Sequence, residues 1–146
     1  MEYQAFVRAV EDRTDLSTAE EVDDAVGATL VTLSERIPDQ EAQDLASQLP
    51  TEVGSYLTAA DGSESFGFDE FAVRVLERET ATEIDERDAA VEHAQAVVAV
   101  LLDAVSSEES DDVLSYLTRD YERLFEGVDP EEVWGPGWRE RLGEAG

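Results

Sequence analysis

Apolar residues recur at helical spacing along this chain, and they do so twice in the same order. Tyr3, Phe6, Val7 and Val10 form one face of a first helix, and Val22, Ala25, Val26, Thr29, Leu30, Leu33 and Ile37 form the stripe of a second. Ser17 and Glu20 have capping-box spacing ahead of that stripe. Pro38 ends the second helix, because proline cannot continue the hydrogen-bond ladder and restricts the residue before it. Asp39 is placed to cap a third helix carrying Ala42, Leu45 and Leu49. Pro50 interrupts that one, and Thr51 to Leu57 forms a short fourth segment with Val53 and Leu57 inward.

The small, polar stretch TAADGSESFG at 58–67 reads as a flexible linker, and beyond it the order restarts. Phe68, Phe71, Val75 and Leu76 repeat the first helix about 65 residues on. Ala90, Ala94, Val97, Val98, Leu101 and Val105 repeat the second at an offset of 68, as Val113, Leu117, Tyr121 and Phe125 repeat Leu45, Leu49, Val53 and Leu57. Leu33/Leu101, Glu41/Glu109, Asp44/Asp112 and Leu49/Leu117 are identical pairs. The expected architecture is an all-α helical bundle: one domain over 1–127 built from two related three-to-four-helix repeats, about 1–58 and 68–127, joined by a linker at 59–67. A short helical tail at 128–146 follows. Each repeat has an apolar stripe too broad to stand alone, so the two are expected to share a core.

FGFDEFAVRVLERE, QDLASQLPTEV and the two-copy layout resemble the prokaryotic family catalogued as domain of unknown function 2267, over about Tyr3 to Phe125. Tyr3/Phe6 and Phe68/Phe71 supply that family's aromatic start to each copy. Leu49-Pro50 supplies its Leu-Pro pair, while Leu117-Thr118 departs from it and suggests a smoother helix continuation in the second copy. The resemblance implies an all-helical fold and brings no catalytic residue with it.

There are 37 acidic residues against 10 basic ones, for a formal charge of -27, and every basic residue is arginine. Such self-repulsion opposes compaction at ordinary salt. At molar salt the Debye length shrinks to about 3 Å and the repulsion largely disappears. The surface thus reads as adapted to a halophilic, haloarchaeal-type cytoplasm. Cysteine is absent, which excludes disulfides, thiolate metal sites and a cysteine nucleophile. MEYQAFVRAVED has neither the basic nor the apolar region of a signal peptide. The longest uncharged run, His93 to Leu102, is about half of a membrane span. The expectation is a cytoplasmic protein without a membrane association.

Asp61 opens a stretch resembling a calcium loop, but Phe66 stands where glycine is needed and Ala72 where the bidentate glutamate is needed. The paired acids Glu20-Glu21, Asp23-Asp24, Glu108-Glu109, Asp111-Asp112 and Glu131-Glu132 fall at helix starts and read as solvated caps. Arg74/Arg78 and Arg119/Arg123 sit among acids and read as ion-pair partners, which argues against nucleic-acid binding. His93, the single histidine, occupies the edge of its stripe at the position of Ala25 in the first copy. It reads as a partly buried helix residue, and as a pocket residue only if a partner side chain reaches it. No catalytic, cofactor-binding or metal-binding residue is expected. Both tryptophans, Trp134 and Trp138, lie in the tail, where they either cover the bundle or dock on a protein partner. The leading expectation is a non-catalytic interaction or scaffold protein. The alternative is a small-molecule binder or enzyme with a pocket between the repeats near His93.

Overall fold

A computed structural model describes residues 2–16, 18–59, 62, 64–79, 87–117 and 119–125. Among these there are seven α-helices, one 3-10 helix and no strand: α1 Tyr3–Asp12, α2 Ala19–Arg36, α3 Asp39–Ser47, α4 Thr51–Leu57, α5 Phe68–Arg78, α6 Arg87–Ala104, α7 Ser107–Tyr116 and the 3-10 helix Arg119–Phe125. Trp134, Trp138, the Glu131-Glu132 pair and the whole 128–146 tail lie outside the described residues, as do Asp61 and Ser63 of the calcium-like stretch.

The centre is formed by α2 and α6, which pack on each other, with α1 and α5 each touching both. Their sequences explain the position. On α2 the whole anticipated stripe from Val22 to Ile37 is buried. On α6 burial extends beyond the stripe to Val91, Ala96, Val100 and Leu102, so the helix is enclosed on nearly every side. Phe6 and Val10 of α1 join the same core as Phe71 and Val75 of α5. At the far end Phe68, Phe71 and Tyr121 form an aromatic cluster with ring centroids 5.6–6.2 Å apart. Gly27 lets α4 approach α2 closely, since a Cβ there would stand 3.0 Å from the Tyr56 ring.

Several local expectations are corrected. The cap of α2 is Thr18, one residue later than expected: its Oγ1 accepts from the Glu21 N–H at 3.1 Å and donates to the Glu21 carboxylate at 3.0 Å. Asp39 is the first residue of α3 and not its cap, and its Oδ1 accepts from the Gly62 N–H at 2.7 Å. The described part of 58–67 is therefore anchored. Glu64 N–H donates to the Glu35 carbonyl at 2.9 Å, and the Phe66 carbonyl accepts from Arg36 Nε at 3.0 Å and from the Tyr121 hydroxyl at 2.8 Å. A flexible linker would leave these groups to water. Finally, the helix does not run on smoothly at Leu117-Thr118, where proline is lacking. Leu117 adopts extended backbone, with ψ 138°, and ends α7 as Pro50 ends the Leu49 turn; the segment that follows is 3-10 and not α.

Candidate functional site

His93 lies on α6 among Ala90, Ala94 and Val97, and its imidazole is 8 % exposed. Its partner is Glu79, which caps the C-terminus of α5. The Glu79 N–H still bonds to the Val75 carbonyl, but its backbone turns extended, with ψ 98°. Glu79 continues the α5 stripe four residues beyond Val75, so its side chain enters the core face and is wholly hidden from solvent. Glu79 Oε2 stands 2.7 Å from His93 Nδ1. In the tautomer whose Nδ1–H donates to this carboxylate, Nε2 is the nitrogen left free of it. A buried carboxylate needs such a partner because stripping its water is costly. Glu79 Oε1 has no hydrogen-bond partner among the described residues.

His93 opens onto a pocket of about 300 Å³ whose other walls are Arg13, Thr14, Asp15, Glu92, Gln95 and Ala96. One wall comes from the loop after α1 and the other from α6. The loop is held by its own chemistry: Leu16 N–H donates to Thr14 Oγ1 at 3.3 Å, a local side-chain turn, and Leu16 is tucked into the core. Arg13 closes α1, its N–H bonding back to the Val10 carbonyl at 3.0 Å. Gln95 is steadied at the other side by donating to the Arg123 carbonyl at 2.8 Å. The volume is at the lower edge of the range for small-ligand pockets, and the walls carry acids, an arginine and an imidazole in place of the usual apolar lining. Such a pocket can bind a small polar molecule and can accept or deliver a proton through Nε2.

Sequence reasoning located His93 but not Glu79. Glu92, next to His93 in the chain, also lines the pocket, whereas Asp88 pairs with Arg123 at 3.3 Å. Of the arginines the sequence singled out, Arg74, Arg78 and Arg123 behave as ion-pair partners. Arg74 meets Glu35, Glu64 and Glu70 at 3.0–3.3 Å and lies 4.0 Å over the Phe66 ring; Arg78 meets Glu35 at 2.5 Å. One of the paired acids is not a solvated cap: Glu109 is buried, facing Glu41. No helix among the described residues is long and apolar enough to cross a membrane.

No curated protein matches the chain. The sequence pattern of a family described as an uncharacterized conserved protein, DUF2267, matches residues 3–124, from the first residue of α1 almost to the end of the 3-10 helix. The aromatic residues Tyr3, Phe6, Phe68 and Phe71 and the buried leucines all fall inside that span, and the chain belongs to the DUF2267 family.

Proposed function

We propose that this protein binds a small polar molecule in the pocket between the α1 loop and α6, with His93 as the contacting group and Glu79 as the residue that orients it. The observation that carries the reading is a buried imidazole–carboxylate pair, 2.7 Å apart, opening onto a cavity of ligand size. Ligand contact through Nε2 gives a purpose to a buried acid that packing alone would exclude. His93 is the single histidine, so its imidazole NMR signals report on this pocket alone. Titration with a panel of small polar metabolites should move those signals for at least one chemical class, and Glu79→Gln should weaken that response. A panel that leaves the His93 resonances unmoved at millimolar concentration sinks the reading.

The scaffold alternative rests on Trp134 and Trp138, outside the described residues. Among the described residues the large exposed apolar ones are Val73 and Tyr116, which are far from a docking patch. The duplication belongs to the same proposal. Its support is that α2 and α6 have 18 residues each and start and end 68 apart, and that α4 and the 3-10 helix keep the same offset. On this reading the pocket lies between a wall from each repeat. A halophilic cytoplasm is the setting proposed for a charge of -27. Circular dichroism across a salt titration checks it: helix should be lost toward about 0.1 M, where screening reaches only about 10 Å.

A further inference from the structure

Where α3 meets α7, two glutamates face each other out of water. Glu41 is 4 % exposed and Glu109 8 %, and each keeps a fully buried Oε1 that no donor among the described residues reaches. Asp44 stands at the mouth, and carboxylate oxygens of Glu41, Asp44 and Glu109 all lie within 4.8 Å of one another. The neighbouring donors are weak or directed elsewhere. Gln48 Nε2 reaches Glu109 Oε2 only at 3.5 Å, while its Oε1 accepts from Ser106 N–H, and Gln40 Nε2 serves Asp44 at 3.1 Å. The charged groups that weigh most on Glu41 are all acids: Glu109, Asp112 and Asp44.

We propose that Glu41, Glu109 and Asp44 form a binding site for a divalent cation of the calcium, manganese or magnesium class. Buried polar atoms are ordinarily satisfied, and two adjacent orphaned carboxylate oxygens ask for a positive partner. The ligand set is all oxygen, with neither thiolate nor imidazole, which selects hard cations. The spacing fits: oxygens on opposite sides of a calcium ion bonded at about 2.4 Å stand about 4.8 Å apart. Glu41 and Glu109, like Asp44 and Asp112, are identical pairs at the 68-residue offset, so the site draws matched ligands from both halves of the chain. It shares no residue with the His93 pocket.

The test is calorimetric titration of the full chain with Ca²⁺, Mn²⁺ and Mg²⁺ in a fixed, high potassium chloride background. A chain this acidic gathers divalent counterions diffusely, so the variants decide. Glu52→Gln, an exposed acid in the first turn of α4, is the control. One site per chain is expected, weakened about tenfold or more by Glu41→Gln and Glu109→Gln, less by Asp44→Asn, and not by the control. Asp44 is exposed, so Asp44→Asn keeps the test readable if a buried variant does not fold. Binding that is equal in the control and in the Asp44 and Glu41 variants overturns the proposal. So does a Glu41→Gln variant that changes only the pH dependence of stability, with no cation bound by the parent chain.

Discussion

Glu35 and Glu41 are six residues apart, both shielded from water, and electrostatically opposite. Glu35 receives Arg78 at 2.5 Å and Arg74 at 3.3 Å, and the Arg78 hydrogen bond holds its carboxyl below the usual carboxylate range against the pull of burial. Glu41 receives another acid, and burial with Glu109 pushes it up to about 8. The difference shows how a chain with 37 acids and 10 arginines distributes its scarce cations. Three of them gather where α2, α5 and the 58–67 segment meet: Arg36 holds the Phe66 carbonyl, Arg74 also holds Glu64, and Arg78 also donates to Thr32 at 2.8 Å. That junction ties the two halves together. The α3–α7 junction is left with carboxylates alone, which suits a site that recruits its cation from solution.

A third kind of buried acid, one with no partner of either sign, should break the molecule. Leu101 is completely buried in the core that joins the halves. Leu101→Asp should cost several kcal/mol, comparable to the net stability of a small domain, and abolish cooperative melting by circular dichroism. A cooperative transition at the parent temperature would mean that the two halves do not depend on one core.

The Glu35 and Glu41 sites should next separate by pH. Glu35 has a lowered folded pKa, so its contribution is full above its ordinary 4.5 and is lost as pH falls through the lower folded value. Arg78→Ala should remove about 1–2 kcal/mol at neutral pH, after allowance for the partial exposure of the pair, and should flatten the acid limb. Glu41 has a raised folded pKa. Its protonated form stabilises fully below 4.5, and that contribution drains away as pH rises to about 8. With a chelator present, Glu41→Gln should abolish this decline and gain on the order of 1 kcal/mol at alkaline pH. Denaturant midpoints measured across pH read both effects. Limbs of the same sign for the two variants would remove the distinction between the sites.

The stripes themselves were plain in the sequence, because burial on α1, α2 and α5 follows helical spacing and prolines mark the breaks at 38 and 50. What escaped notice were acids that continue a stripe. Glu79 follows Val75 by four residues, Glu41 precedes Leu45 by four and Glu109 precedes Val113 by four, so each faces inward on its helix. Read as polar punctuation they look like solvated caps; read by register they are core positions occupied by carboxylates. Their partners were illegible for another reason. His93 is 14 residues from Glu79, and Glu41 is paired across the packing of α3 on α7, which composition does not encode. The cap shift from Ser17 to Thr18 is a one-residue ambiguity between two adjacent hydroxyls that each have Glu three residues later, and Thr18 bonds both the N–H and the carboxylate of Glu21.

The gentlest probe is an acid that remains in water. Asp120 is exposed on the 3-10 helix, yet its Oδ2 accepts the Phe68 N–H at 2.7 Å and so caps α5 from 52 residues away. Gly67 makes the approach possible, since a Cβ there would stand 2.7 Å from that oxygen. A carboxylate at a helix N-terminus gains from the macrodipole as well as from the hydrogen bond, and these can be divided. Asp120→Asn keeps an acceptor and loses the charge, so it should cost about 0.3–0.5 kcal/mol, while Asp120→Ala loses both and should cost about 1 kcal/mol. Salt then separates this acid from the buried ones. At molar salt the charge component is screened within about 3 Å, so the Asn variant should become indistinguishable from the parent while the Ala variant keeps its deficit. The pH limbs of Glu35 and Glu41, set by contact partners inside the fold, should survive the same salt. If the Asn deficit persists undiminished at molar salt, Asp120 acts through geometry alone and its resemblance to the buried pairs is closer than its exposure suggests.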